Sequence, residues 1–127
     1  MPKVNSYQDI SQIDRESKKD FIDRHSPFIH VADSAKAGEV LAVNVKMGNE
    51  YVHPDEFDHY IQSIKLFNGE SLLAEASFLP GTLGNKAGHA EVMFNIVPLK
   101  DLSLVAISYC TKHGLWQSDP QVVKVSE

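Results

Sequence analysis

From Pro27 onward the chain alternates short runs of β-branched and aromatic residues with turn residues. The apolar positions repeat with a period of two, which is the strand period. Phe28 to Val31 is the first run. In Val40 to Met47 (VLAVNVKM), Val43 and Val45 share one face and Asn44 and Lys46 the other. His59 to Phe67 ends at Asn68-Gly69, a dipeptide that favours the tight turn of a hairpin. Ser71 to Leu79 answers it and stops at Pro80-Gly81. Residues 80–88 (PGTLGNKAG) read as a loop, His89 to Val97 as a strand and Leu102 to Cys110 (LSLVAISYC) as a buried strand. Val122 to Val125 closes the pattern. About seven short strands at this spacing predict an antiparallel β-sandwich of immunoglobulin-like type.

Residues 1–20 are different. They are polar and mixed in charge, and are expected to form an N-terminal arm, either loose or a short helix. Ser11 followed by Asp14 is a weak helix-start signal. A length of 127 residues suits one domain spanning 1–127, large enough to bury a core without staples. The hydrophobic and charged fractions, 43% and 23%, are those of an ordinary globular protein, and no run is long enough for a membrane span. The net charge of -5 argues against nucleic acid or anionic lipid as a main partner, and it requires any anionic substrate to be drawn in locally. The single cysteine, Cys110, excludes an intramolecular disulfide. With a polar N-terminus it points to a reducing, cytoplasmic setting.

The chemistry-bearing residues gather at the ends of these segments. Cys110-Thr111-Lys112-His113 puts a thiol and an imidazole where a buried strand becomes a loop. Such a pair can reach one metal ion, though alone it reads equally well as a buried cysteine beside a surface histidine. His53-Pro54-Asp55-Glu56-Phe57-Asp58-His59 supplies two more imidazoles, one leaving a strand and one opening the next. His25 precedes Ser26-Pro27 at another junction. Imidazole with thiolate suits zinc, copper or iron and disfavours magnesium and calcium. Structural zinc takes four ligands, whereas five candidates suit a five-coordinate ion with one open position.

Three stretches together, Asp23-Arg24-His25-Ser26-Pro27, His53-Pro54 with Asp58-His59, and Cys110-Thr111-Lys112-His113-Gly114-Leu115-Trp116, resemble the superoxide reductase family. The likeness is to its one-iron members, the neelaredoxins, and runs from about Phe21 to the C-terminus. It implies an immunoglobulin-like fold and one mononuclear non-haem iron. The equatorial ligands would be His25, His53, His59 and His113, and the axial thiolate Cys110. Also implied are an open position for superoxide, one-electron reduction to hydrogen peroxide, a rubredoxin-like electron donor and a homotetramer. The four-cysteine site of the two-iron relatives is ruled out by the single cysteine. The family pattern has Glu-Lys before the first histidine ligand. Here it is Asp23-Arg24, so Arg24 would keep the charge that attracts superoxide, while the shorter Asp23 puts carboxylate ligation of ferric iron in doubt.

Other residues carry blander expectations. His30 and His89 match no ligand position and read as surface strand residues. Trp116 reads as packing beside the site or in the core. Lys112 is either part of the local positive field or a solvated lysine. Asp55, Glu56 and Asp58 form an acidic loop, either solvated or supporting a ligand histidine through a hydrogen bond. Two other functions compete. A blue-copper electron carrier normally has two histidines, one cysteine and an axial methionine; here four histidines are available and no methionine follows Cys110. A metal-free interaction module would leave five ligand-type residues at segment ends unexplained.

Overall fold

The computed structural model describes residues 7–9 and 19–127. Among these, two facing sheets enclose one core. The chain order is β1 (Tyr7–Asp9), α1 (Lys19–His25), β2 (Pro27–His30), β3 (Ser34–Lys36), β4 (Leu41–Met47), β5 (Ile61–Asn68), β6 (Ser71–Ser77), β7 (Glu91–Ile96), β8 (Leu102–Cys110), β9 (Gly114–Gln117) and β10 (Gln121–Ser126). The smaller sheet has the order β2-β4-β7. In the larger sheet β8 is the axis. One of its edges pairs along its length with β5, which pairs with β6. The other is shared, its first half with β10 and its last residues with β9.

Alternation explains the core. Leu41, Val43, Val45 and Met47 of β4 point inward, and so do Leu102, Leu104, Ala106 and Cys110 of β8, with Ile61, Ile64 and Leu66 of β5 beside them. Because strand side chains repeat every second residue, the register that buries Leu102 also buries Cys110 eight residues later, at the end of the sandwich. The cysteine is therefore the last inward residue of the central strand, and the core delivers it to one end of the molecule.

All seven expected strands are present, with ends shifted by a residue or two. The β-sandwich is the expected one; three further strands and two pairings differ from the simple antiparallel picture. β1, β3 and β9 are only three or four residues long, too short to show alternation. β1 runs parallel to β9, and β3 parallel to β10, so both outer edges depart from antiparallel order. The expected arm of residues 1–20 contains β1 and the first residues of α1. The Ser11–Asp14 helix signal lies outside the described residues. The run beginning at His59 starts as a strand only at Ile61, because His59 is held in a local bridge to Glu56.

Candidate metal centre

Four structural segments converge where β8 ends. His25 is the last residue of α1, whose short helix packs Ile22 and Phe21 against Trp116. Ser108, a polar residue at an inward position of β8, donates from its hydroxyl to the His25 carbonyl at 3.2 Å and ties the helix end to the central strand. His53 lies in the connection between β4 and β5, paired through its backbone with Gly88. His59 sits just before Ile61, which is opposite Cys110 in the β5–β8 ladder. The amide of Thr111 donates to the Tyr60 carbonyl, and the Tyr60 amide to the Thr111 hydroxyl, so the chain beside His59 is locked to the chain after Cys110. His113 occupies the turn from β8 to β9, which closes at Gly114. The left-handed backbone there (φ 83°) suits glycine, although a Cβ would meet no neighbour.

The four imidazoles form a closed ring around a common centre. Successive ring centroids are 4.9 Å apart for His25–His53, 4.7 Å for His53–His59, 4.9 Å for His59–His113 and 4.7 Å for His113–His25. Neighbouring planes are steeply inclined, while His25 and His59 face each other across the ring at 6.3 Å, nearly parallel at 18°. Ligand atoms of His25, His53, His59 and Cys110 all lie within 4.8 Å of one another. The Cys110 sulfur is 3.2 Å from His53 Nε2 and 3.8 Å from His113 Nδ1. A single ion fits His25, His53, His59 and Cys110, a mononuclear site with several imidazole nitrogens and one sulfur; His113 completes the ring of imidazoles but is not one of that close group.

Hydrogen bonding sets which nitrogens face the centre. The carbonyl of Phe21 lies 2.8 Å from His25 Nδ1 and that of Pro54 2.7 Å from His53 Nδ1. A carbonyl only accepts, so both Nδ1 atoms carry the proton and both Nε2 atoms present a lone pair. His25 Nε2 and His59 Nε2 are buried with no hydrogen-bond partner. An orphaned buried lone pair is costly unless something occupies the site it faces, and a metal ion is the occupant its chemistry suits. Burial lowers the pKa of His25 to about 3, against the Phe21 carbonyl, with the charges of His53, His113 and His59 adding to the drop. It lowers His53 to about 4, opposed by the Pro54 carbonyl and assisted by His59, His113 and Arg24. His59 is lowered by burial, then by His113 and Lys112; His113 by burial, then by Lys112. All four are therefore held neutral, the form that binds metal. The Cys110 thiol is pushed up by burial, against the amides of Lys112 and His113 and the Lys112 charge; a bound cation would overcome that and deprotonate it.

Around this centre, Trp116 is buried and stacks on His25 at 5.1 Å and 19°. Its indole N–H donates to the His113 carbonyl at 3.1 Å, so it braces the His25 ring and the His113 backbone. Among the described residues Arg24 makes a long ion pair with Asp20, 3.9 Å, and its buried Nε has no hydrogen-bond partner. Its charge is felt at His53, and that of Lys112 at His59 and His113. Asp23 is not at the centre. Both its oxygens accept backbone amides, from Asn49, Glu50 and Tyr51 at 2.8–3.2 Å. The expectation of an acidic loop holds for Glu56 and fails for Asp55, which is buried and accepts three amides from residues 81–85. His30 is exposed on β2, as expected. His89 is half-buried, with Nδ1 2.8 Å from the Met47 carbonyl. Ser108 and Phe21 were missed. Only Ser108 had a legible signal, a hydroxyl at an inward position of an apolar strand.

The desulfoferrodoxin family model matches residues 13–119, and the chain belongs to that family. A superoxide reductase from Thermococcus kodakarensis is 30% identical over 103 residues, 76% of this chain and 85% of its own. A neelaredoxin from Megalodesulfovibrio gigas is 26% identical over 113 residues, 79% of this chain and 87% of its own. In three dimensions the chain is similar to a variant of the superoxide reductase (neelaredoxin) from Ignicoccus hospitalis. The TM-score is 0.77, with 28% identity and 94% of each chain covered.

Proposed function

We propose that this protein is a superoxide reductase of the one-iron type, a single domain that converts superoxide to hydrogen peroxide. The observation that supports this best is the closed ring of four neutral imidazoles with one cysteine sulfur beside it. His25, His53 and His59 would hold the iron through Nε2 and His113 through Nδ1, the nitrogen nearest the sulfur. Cys110 would hold it through its sulfur. Iron bound there would supply one-electron chemistry, cycling between ferrous and ferric as superoxide is reduced.

The chain's own residues do the rest. The Cys110 thiolate would donate electron density to iron held there. Backbone amides of Lys112 and His113 point at its sulfur and moderate that donation. His25 and His53 are sealed from solvent, whereas His59 and His113 are only partly covered, so substrate and protons reach the site from that side. Superoxide is an anion and the chain is acidic overall, so attraction must be local. On this reading Arg24, with a half-exposed guanidinium, would draw it in and orient it, and Lys112, whose charge acts on His59 and His113, would strengthen the attraction on the open side. Asp23, committed to its turn, takes no part in the chemistry on this reading.

Electrons would come from a small one-electron donor of rubredoxin type, and the assembly would be a homotetramer. A reducing compartment such as the cytoplasm suits a free thiol at Cys110. Among the described residues no helix is long and apolar enough to cross a membrane. Metal analysis with a visible spectrum tests the proposal. One iron per chain with a ferric-thiolate band is expected; one copper with a cupric-thiolate band, or no metal, would overturn it.

A further inference from the structure

His53 is the most enclosed of the four rings, yet it belongs to no strand. The connection from β4 to β5 runs from 48 to 60 without regular structure beyond two isolated bridges. A connection of this kind is ordinarily mobile, whereas a metal ligand has to be held to within about 0.5 Å. Two carboxylates act on this stretch, one on each side of His53. Upstream, Asp23 accepts the amides of Asn49 (3.1 and 3.2 Å), Glu50 (3.1 Å) and Tyr51 (2.8 Å). This clamps the turn to the helix that carries His25. The Gly48 amide, donating to the Ser26 carbonyl at 2.9 Å, closes the same turn. Downstream, Asp55 is buried and accepts the amides of Gly81 (3.0 Å), Leu83 (2.8 Å) and Asn85 (3.0 Å). This organises the loop that ends at Gly88, and Gly88 pairs with His53 through two backbone hydrogen bonds of 2.9 and 3.0 Å.

We propose that Asp23 and Asp55 are positioning residues whose carboxylates clamp the chain before and after His53, holding its ring at the ligand position before any metal arrives. Neither touches the metal position. Each accepts three consecutive or near-consecutive amides, and hydrogen bonds to a charged acceptor are the strong kind. The inference rests on the metal-binding reading of the site but not on its superoxide chemistry, so binding alone can test it.

The experiment is Co2+ titration of the chelator-stripped, full-length chain, with Zn2+ competition for affinity and the ligand-field bands of Co2+ for coordination. Asp55→Asn keeps the size of the side chain but turns an amide donor toward backbone donors. It and Asp23→Asn should each weaken Co2+ binding about tenfold or more, the scale on which outer-shell partners act, and alter the bands. Asp101→Asn is the control: that carboxylate also accepts a backbone amide, from Val125, but adjoins the end of β8 opposite Cys110. It should leave affinity and bands unchanged. The proposal is overturned if the Asp23 and Asp55 variants lose thermal stability while binding Co2+ with wild-type affinity and spectrum. Should Asp55→Asn fail to fold, the less buried Asp23→Asn decides alone. A wild-type chain that bound no Co2+ would instead overturn the metal-binding reading, and the inference with it.

Discussion

Stripping the metal and lowering the pH should destabilise the protein steeply, because the site stores neutral histidines. His25 titrates at about 3 and His53 at about 4 in the fold, and both start from 6.5 when unfolded. Between those limits the unfolded chain binds protons that the folded chain refuses, so stability falls as pH falls. Near pH 5 both histidines are neutral when folded and largely charged when unfolded. Two protons then separate the states, and the slope is about 2.7 kcal/mol per pH unit. The full shifts correspond to ceilings of about 5 kcal/mol for His25 and about 3 kcal/mol for His53, at about 1.4 kcal/mol per pKa unit. They are not additive, since each lowers the other through charge. Even a fraction is large against the roughly 5–15 kcal/mol that holds a domain together. His59 and His113 are shifted in the same direction and steepen the fall. Urea denaturation of the metal-free chain at half-unit steps from pH 7 to 4.5 measures the slope, and His25→Phe should reduce it by about one proton's worth. Stability that stays flat from pH 6.5 to 5 would refute the claim that the fold holds these rings neutral.

Cys110→Ser should leave the fold intact but abolish the thiolate band and most superoxide reduction, since the electron-donating ligand is lost; full activity would show the sulfur dispensable. Arg24→Ala should slow the bimolecular reaction with superoxide about tenfold and flatten its salt dependence, read by stopped flow at two ionic strengths; an unchanged rate and slope would shift the role to Lys112. Gly48→Ala should cost about 2–4 kcal/mol of stability, combining left-handed strain with overpacking, because the backbone has φ 74° and a Cβ would collide with the Tyr51 carbonyl. Thermal melts of the metal-free chain would show it.

The frame was legible where alternation was long. Leu102 to Cys110 runs nine residues in strict inward–outward order, and its bounds match those read from the pattern. Strands of three or four residues, β1, β3 and β9, carry too few positions to reveal a period, and their parallel pairings depend on segments distant in the chain. The five ligand-type residues stood out because imidazole and thiol side chains gather at segment ends, and their assignment as ligands came from the family resemblance. Residues acting through backbone contacts did not stand out. Asp55 looked like one of three acidic loop residues, and nothing local distinguishes it from Glu56. Only the folded loop, with the amides of Gly81, Leu83 and Asn85 turned toward one carboxylate, separates them. For Asp23 the family pattern left carboxylate ligation in doubt, and nothing in its sequence signalled that the turn at Gly48 offers amides to both its oxygens.

The most direct test of the account is the stoichiometry of a single turnover. Ferrous protein mixed with superoxide in slight deficit should yield one hydrogen peroxide per superoxide consumed and one equivalent of ferric protein, with no dioxygen formed. One dioxygen for every two superoxide consumed, or fewer ferric equivalents than superoxide consumed, would contradict it.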